Sequence, residues 1–411
     1  MSIWIFLVIP IIGALILLKF FNTKLTWWEV LIPMISCIFF IGVFKLIVET
    51  VQVSDTEYHG AIIVKARYYE PWETYVYQTC TRSVACGTDS KGNTQYCTET
   101  YDCSYCSDHN EYWEVTNSLG ESFTVSEKYY RELIKKWSAK PVFVELNRSI
   151  NYHFGCGRDG DAYEIRWDGY ELTSESTTTS HRYENRVQAA HTAFDFPKIT
   201  ENDIKTYSLL EYPKLNGFQQ MNVVGADSIP WMTGKEKYLF YQLADYMNGR
   251  LGPEKHARIY FVLFLDKPHL AGKMQEAYWD GGNDNELVIC IGLSKNSREI
   301  QWVYPFTWSS ERKIIPDIRE SIMTIKNFNV DSIVSITSEN VIKQFKRKDF
   351  KEFSYITVDP PEWAKWVTFF ITSIITGFIC YWAVTNDINS KNDPLEEAIR
   401  DLRKPKNKFR Y

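Results

Sequence analysis

The chain has 411 residues, a formal net charge of −5 and a hydrophobic share of 45%. This length is typical of two or three domains. The mild negative charge argues against the basic face that nucleic-acid-binding domains present, so we expect no nucleic-acid partner. The aromatic share of 16% favours a β-rich domain, because large flat side chains pack well on a pleated sheet.

Apolar segments near both ends of the chain predict three membrane spans. Ser2–Leu18 and Trp366–Val384 contain no charged residue. Leu25–Val48 contains two, Glu29 and Lys45, near its ends. Each segment is long enough to cross about 30 Å of hydrocarbon as a helix, the first only just. The alternatives are buried core helices and, for the first segment, a cleaved signal peptide.

These spans predict a multi-pass protein of the lipid bilayer, with a membrane-anchored α+β fold. We divide the chain into a hairpin of two transmembrane helices (1–50), a β-rich cysteine-containing domain (51–200), an α/β domain (201–360), a transmembrane helix (363–385) and a charged tail (386–411). Residues 51–362 are called the large segment below.

Basic residues near the spans predict the orientation of the chain, because short cytoplasmic loops are rich in Lys and Arg. The loop between the first two spans contains Lys19 and Lys24. The tail contains seven more basic residues, Lys391, Arg400, Arg403, Lys404, Lys406, Lys408 and Arg410. Placing both in the cytoplasm puts the large segment outside, in a periplasm, a lumen or at a cell surface. The basic cluster at 343–351 opposes this orientation, but charges in long translocated domains count for less.

Six cysteines lie in the first half of the large segment: Cys80, Cys86, Cys97, Cys103, Cys106 and Cys156. An extracytoplasmic compartment favours disulfide bonds. The alternative is a zinc site built from the first two and from the C-x-x-C at 103–106, with His109. The first pair is separated by five residues, more than is usual in structural zinc sites. Six cysteines allow fifteen pairings, and the sequence does not choose among them.

The periodicity of the first half predicts strands. Residues 61–69, "AIIVKARYY", alternate as a strand does, and 112–117 with 121–126 read as a hairpin. The cysteine-rich stretch 80–106 is predicted to be a stapled surface loop. Residues 173–181, "TSESTTTSH", are predicted to be a polar low-complexity loop.

The second half alternates helices with continuous apolar strands, which predicts an α/β sandwich. The elements, in order, are Glu236–Gly249, Ile259–Asp266, Met274–Trp279, Asp280–Asn285, Glu286–Leu293 and Arg298–Tyr304. This order resembles the TPM domain family: an acidic helix, a buried strand, a helix ending in an aromatic residue, a Gly/Asn/Asp loop, and two further strands. The likeness covers residues 220–330 or so. Glu286 stands where the family has a glycine, and "YPFTW" replaces a Gly-Tyr-Gly-like strand end.

Oxygen-bearing side chains cluster in the loop before the second apolar strand. They are Asp280, Asn283, Asp284, Asn285 and Glu286, and Asp266 ends the neighbouring strand. Calcium takes six to eight such oxygens from flexible loops, and the resemblance also implies calcium binding, so calcium is the candidate cofactor. The alternative is a polar turn in which Gly281 and Gly282 supply positive φ angles. Asp159, Asp161 and Glu164 form a second, weaker candidate.

The chain contains no G-x-S-x-G, H-E-x-x-H, Walker or cysteine-protease pattern, so its catalytic residues are unknown. The leading hypothesis is therefore a non-enzymatic, membrane-anchored module whose outer domains bind or modulate another envelope or membrane protein. One alternative is the phosphoesterase with a divalent cation that the TPM resemblance implies. Another is a phage or mobile-element protein that remodels the host envelope.

Overall fold

The computed structural model describes residues 3–20, 27–146, 156–167, 175–190, 196–215 and 217–386. Within these residues the chain is a mixed α/β protein with a β-rich region. It forms two compact units. The first comprises Met1–Asp55, Tyr183–Phe196 and Phe350–Tyr411, and the second comprises Thr56–Arg182 and Pro197–Asp349. The predicted charged tail beyond Asn386 lies outside the described residues.

The elements are numbered in chain order. The helices are α1 (Val8–Phe20), α2 (Trp27–Val53), α3 (Glu127–Trp137), α4 (Arg186–Ala189), α5 (Glu201–Tyr207), α6 (Gly234–Lys255), α7 (Leu270–Tyr278), α8 (Ile314–Ile325), α9 (Val330–Gln344) and α10 (Glu362–Asn386). The strands are β1 (Ser54–Tyr69), β2 (Trp72–Val76), β3 (Thr79–Thr88), β4 (Thr94–Asp102), β5 (Tyr105–His109), β6 (Tyr112–Asn117), β7 (Ser122–Val125), β8 (Val142–Val144), β9 (Ala162–Arg166), β10 (Ser176–Glu184), β11 (Val223–Val224), β12 (Arg258–Leu265), β13 (Glu286–Leu293) and β14 (Ile300–Thr307).

Two helices of the first unit are long and apolar enough to cross a membrane, over Leu31–Val53 and Glu362–Trp382. The prediction of a third span over Ser2–Leu18 is not supported, because the apolar helix there is shorter, Ile3–Ile16. A helix of that length rises roughly 21 Å, less than the hydrocarbon thickness of about 30 Å.

The apolar helices of the first unit pack closely at small residues and turn large ones outward. A Cβ atom added to Gly13 of α1 would lie 2.6 Å from Cγ2 of Thr376 in α10, so only glycine allows this approach. Phe39 of α2 is 72% exposed and Phe378 of α10 is 68% exposed. Apolar surface of this extent is unusual on a protein surrounded only by water.

The first sheet of the second unit has the strand order β7-β6-β1-β9-β8, and β10 also pairs with β1. Strand β1 is antiparallel to both β6 and β9. Helix α3 begins after Ser126, whose hydroxyl accepts a hydrogen bond from the Tyr129 N–H and so satisfies a free donor of the first turn. Apolar residues of α3 and of one sheet face form a core: Ile63, Ala66, Val115, Tyr130, Leu133, Trp137 and Ile165.

The described part of the predicted polar loop 173–181 is a strand, since β10 begins at Ser176, and residues 173–174 lie outside the described residues. Thr177 and Thr178 are fully or nearly fully buried. The side-chain amide of Asn117 donates hydrogen bonds to the hydroxyls of Thr177 and Thr179, at 3.1 and 3.0 Å. Threonine is β-branched and favours strands. Because partners within the fold satisfy these hydroxyls, a polar stretch can lie in the interior.

The second sheet has the order β11-β12-β13-β14. Strands β12 and β13 are parallel, from Arg258 opposite Glu286 to Leu265 opposite Leu293, and β14 is antiparallel to β13. Helices α6, α8 and α9 contribute to the core on one face, while α7 contributes to the other. Every residue of β13 is buried, which confirms the strand that its continuous apolar run predicts.

Candidate functional site

The six cysteines of the first half lie as three pairs at disulfide-bonding distance: Cys80 with Cys103, Cys86 with Cys97, and Cys106 with Cys156. The Cα atoms of each pair are 5.7 Å apart, within the range that a disulfide requires. The structure thus selects one of the fifteen pairings that the sequence allows. Cys290 is a free, buried thiol in β13.

The geometry does not fit the zinc alternative. Among the described residues, Glu73, Cys106 and Cys156 are the group of three metal-ligand side chains whose atoms lie within 4.8 Å of one another. The two sulfurs of this group bond to each other, and zinc binds thiolates. His109, the histidine of the zinc alternative, stacks on Trp72 with ring centroids 4.6 Å apart, and its Nε2 lies 2.7 Å from the Thr74 hydroxyl.

Strands β3 and β4 form a two-stranded ribbon that contains the Cys86–Cys97 disulfide, while the Cys80–Cys103 disulfide closes its base. We call residues 79–102 the ribbon. All nine residues of β4 are exposed. Tyr96 is 70% exposed, and Arg82 pairs with Glu99 at 2.9 Å and lies over the ring of Tyr101. The predicted stapled loop is therefore a pair of strands that presents its side chains to the surroundings.

The loop between α7 and β13 turns its polar side chains inward. Asp280, Gly281 and Gly282 have φ angles of 51°, 80° and 75°, so three consecutive residues adopt the left-handed region that favours glycine. The four residues that follow are buried: Asn283, Asp284, Asn285 and Glu286. The two glycines act as the polar-turn alternative predicts, and the turn directs the next side chains into the protein.

Asp266 lies far from this loop, so the six candidate residues cannot act together as the ligands of one ion. Its carboxylate accepts a hydrogen bond from the Lys295 N–H at 2.9 Å, at the carboxyl end of β12. Glu286 begins β13 and lies opposite Arg258, at the amino end of β12. Two parallel strands of eight residues separate these positions by roughly 25 Å. No single ion can contact both carboxylates.

Protein groups already use the oxygens of Glu286 and its neighbours. The backbone N–H of Asn283 donates to Oε2 of Glu286 at 2.9 Å, and its side-chain amide donates to the Tyr212 hydroxyl at 3.0 Å. The Tyr212 hydroxyl in turn donates to Oε1 of Glu286. The Asn285 amide donates to the Tyr58 carbonyl at 2.9 Å. Since calcium needs six to eight available oxygens, these residues do not fit a calcium site.

Asp284 belongs to a buried charge network. Nη2 of Arg347 donates to both carboxylate oxygens of Glu57 at 2.9 and 2.8 Å, and its Nε donates to Asp284 at 3.0 Å. Nδ1 of His181 lies 2.9 Å from Oε1 of Glu57, and Nε2 of His59 lies 3.2 Å from the same oxygen. We call these five residues the carboxylate network. It connects β1, β10, the loop before β13 and the segment after α9.

The two carboxyl groups of the network differ in charge. Burial, followed by the negative charge of Glu57, raises the pKa of Asp284 to about 8. Burial alone would raise the pKa of Glu57 too, but hydrogen bonds with His59 and Asp284 and the charge of Arg347 lower it to about 2. Asp284 therefore holds a proton at neutral pH, which it can share with Glu57. Oδ1 of Asp284 has no other hydrogen-bond partner among the described residues.

The charge of the network is balanced, with Glu57 negative, Arg347 positive and Asp284 neutral. A carboxylic acid with a raised pKa is suited to general acid–base catalysis. Glu57, however, is fully buried, and Arg347 is 30% exposed. Such a network fits a structural role, because it connects four segments that are distant in sequence.

Sequence reasoning missed Glu57 and Arg347 as partners of Asp284. In the sequence, Arg347 is one of several basic residues in the cluster at 343–351. Glu57 stands alone at the start of a strand, and no local pattern distinguishes it. The second acidic stretch does not form an ion site either, because Glu164 pairs with Arg67 and Arg166.

Comparison with known proteins gives no relative: no family model, no curated protein and no solved structure matches the chain.

Proposed function

We propose that the chain is a membrane-anchored binding protein whose large segment lies in an oxidising, extracytoplasmic compartment. The observation that carries this proposal is the exposed ribbon, held by two disulfide bonds, within a segment that two apolar helices flank. The contacts with another envelope or membrane protein would be made through this ribbon.

Membrane insertion is supported by the exposure of the two apolar helices. Only 22% of the most apolar window of each helix is buried, whereas a core helix of a soluble protein would be mostly covered. Trp363 and Trp366 lie exposed at the start of α10, and Tyr381 and Trp382 lie exposed near its end. Aromatic residues at both borders are typical of helices that cross a bilayer.

The proposed orientation does not depend on the short α1 helix. Because the large segment lies between the two candidate spans, both flanks of the chain share one side of the membrane. These flanks contain Lys19, Lys24 and the seven basic residues of the tail, so the positive-inside rule places them in the cytoplasm. The disulfide pairs then lie where oxidation is favoured.

The ribbon is proposed as the binding surface because it combines rigidity with exposed tyrosines. Two disulfides limit its motion, so little conformational entropy is lost when a partner binds. Tyr77 and Tyr105 flank its base and are 74% and 52% exposed, and Tyr96 lies within it. Tyrosine supplies a large amphipathic contact area with few rotatable bonds. The TPM-like fold remains a prediction, and none of the contacts described above at the loop before β13 favours the phosphoesterase alternative.

Topology reporters test the orientation. Alkaline phosphatase fused after Gly217 should be active, and green fluorescent protein fused to the carboxyl terminus should fluoresce, since the first folds outside and the second inside. Inactive phosphatase at residue 217 would overturn the orientation.

Photo-crosslinking in native membranes tests the ribbon. A photoreactive residue at Tyr96 should form a defined adduct with a membrane or envelope protein, and one at Tyr238, which is 63% exposed on α6, should not. Removing Cys86 and Cys97 together should abolish the Tyr96 adduct. Equal crosslinking at both positions would contradict a binding role for the ribbon.

A further inference from the structure

The two strands of the ribbon divide its side chains between two faces. Successive residues of a strand project to opposite sides, and directly opposed residues project to the same side. In the register of β3 with β4, Thr81 lies opposite Thr100, and Ser83 lies opposite Thr98. Ala85 and Tyr96 form the next pair, near the connecting turn. We call this side of the ribbon the hydroxyl face, and its other residues are Thr79, Thr81, Ser83, Thr98, Thr100 and Asp102.

The opposite side of the ribbon carries most of the contacts that hold it together. We call it the disulfide face, and its residues include Cys80, Arg82, Val84, Cys97, Glu99 and Tyr101. Arg82 pairs with Glu99 at 2.9 Å, and its guanidinium lies 5.2 Å from the centre of the Tyr101 ring. Cys80 and Val84 are half-buried. The side chains of this face therefore contact one another rather than the surroundings.

The hydroxyl face is open along its whole length. Each of its residues is exposed, in β3 and in β4. Its one charged residue, Asp102, lies at the base of the ribbon, where the Ser104 N–H donates to its carboxylate at 2.9 Å. The core of a protein interface is poor in charged residues. At binding surfaces, tyrosine supplies contact area and serine supplies adaptable hydrogen bonds, so the hydroxyl face has a suitable composition.

We propose that the hydroxyl face is the surface that contacts the partner, and that the partner presents an uncharged surface of hydroxyl and amide side chains to it. This inference rests on the proposed function, which assigns binding to the ribbon as a whole. A hydroxyl that is buried without a hydrogen-bond partner weakens a complex, so a purely apolar surface does not fit. A charged group would lose its water and meet no opposite charge at the centre of this face. Hydroxyl and amide groups both donate and accept hydrogen bonds, so they satisfy the threonines.

Photo-crosslinking in native membranes tests which face makes the contact. Thr98 and Glu99 are neighbours in β4 and both are exposed, but they lie on opposite faces, so they form a matched pair. A photoreactive residue at Thr98 should form an adduct with the same protein as one at Tyr96, and one at Glu99 should form none. Mass spectrometry without reduction checks that each variant retains both disulfides of the ribbon.

The outcomes separate this inference from the proposed function. An adduct from Glu99 and none from Thr98 would overturn the assignment of the face, while the ribbon would stay the binding site. An adduct from Tyr96 alone would also overturn it, because the contact would then not extend along the hydroxyl face. Absence of an adduct at all three positions would overturn the proposed function, and this inference with it.

Charge substitutions test the chemistry of the partner. Thr100→Lys and Thr100→Glu place opposite charges on the hydroxyl face, and both should abolish the Thr98 adduct, because either charge loses its water without gaining a counter-ion. Gln95→Lys and Gln95→Glu place the same charges on the disulfide face, since Gln95 is exposed two residues before Cys97. They should leave the adduct unchanged.

The yield of the Thr98 adduct should also be the same at low and high salt, because salt screens only contacts between charges. Loss of the adduct with one sign of charge and its retention with the other would identify a charged partner surface and overturn the proposed chemistry. A fall in yield at high salt would overturn it as well.

Discussion

Asp284 and Glu57 are both buried carboxyl groups, but at neutral pH Asp284 is protonated and Glu57 is ionised. Burial and the negative charge of Glu57 raise the pKa of Asp284, whereas hydrogen bonds with His59 and Asp284, together with the charge of Arg347, lower the pKa of Glu57 despite its burial. One guanidinium balances one negative charge, so the second carboxyl group must remain protonated. The carboxylate network therefore behaves as an ion pair with a neutral hydrogen-bonding neighbour.

Matched amide substitutions should distinguish the two carboxyl groups. Asp284→Asn replaces a neutral acid with a neutral amide of the same shape, so it should change the free energy of unfolding by about 1 kcal/mol or less at pH 7. Glu57→Gln leaves Arg347 without its counter-ion and should cost about 3 kcal/mol. Urea titration of the full chain in detergent measures both values. Equal losses in the two variants would contradict the assigned charge states.

The same assignment predicts a pH dependence. The pKa of Asp284 is higher in the folded state than in the unfolded state, so the folded state binds an extra proton between about pH 4, the ordinary Asp value, and about pH 8. Its stabilising contribution is fully present below about pH 4 and is lost as the pH rises to about 8. Between pH 5 and pH 8 the melting temperature of the parent chain should therefore fall relative to that of Asp284→Asn. A constant difference would show that Asp284 is ionised throughout.

Calcium provides a further residue-scale test. Since Asn283 and Glu286 are hydrogen-bonded within the protein and Asp284 contacts Arg347, 1 mM calcium should leave the melting temperature unchanged. A ligand present at 100 times its dissociation constant would stabilise by about 2.7 kcal/mol. A rise of several degrees that disappears in an Asp280→Ala, Asp284→Ala variant would restore the calcium site.

The sequence offers a polar turn as the alternative to a calcium loop here, but it does not predict the direction of the side chains. Gly281 and Gly282 identify the left-handed backbone, because that conformation is a local property of the chain. The partners of Asp284 lie far along the chain, at Glu57 and Arg347. No local sequence pattern encodes such a contact. From the sequence alone, an Asp or Asn that binds a cation therefore cannot be distinguished from one that hydrogen-bonds to a distant part of the chain.

At the scale of elements, strand β1 and helix α6 meet through glycines. A Cβ atom on Gly252 of α6 would lie 1.9 Å from the carbonyl oxygen of Gly60 in β1. Gly252→Ala should therefore force the two backbones apart and destabilise the fold by about 3 kcal/mol. Gly234→Ala, at the start of the same helix with nothing within 4 Å, should be close to neutral. Equal stabilities of the two variants in thermal unfolding would contradict this packing.

The sequence predicted best the elements that are buried along nearly their whole length. Strands β12 and β13 are buried along almost their whole length, so their apolar runs identify them. Strand β10 and the ribbon escaped prediction because polar residues line them. The threonines of β10 are satisfied by Asn117, and the ribbon is held by disulfide bonds rather than by an apolar core.

At the scale of the whole molecule, the proposed topology has two spans that flank the large segment, so we expect the first helix to be dispensable for orientation. A chain without residues 1–26 retains α2, α10 and the seven basic residues of the tail, which still favour a cytoplasmic carboxyl terminus. Phosphatase fused after Gly217 should remain active and carboxyl-terminal green fluorescent protein should still fluoresce. The truncated chain should also melt earlier, because the close contact of Gly13 with Thr376 is lost.

A second variant distinguishes the effect of the basic residues on orientation from the effect of the number of spans. If the basic residues of the tail in the truncated chain are changed to glutamine, no positive flank remains to favour either orientation, and a mixed topology should appear in both reporters. Inversion of the reporters by the truncation alone would show that α1 determines the orientation. That result would contradict the two-span arrangement. In that arrangement α2 and α10 alone place both ends of the chain in the cytoplasm.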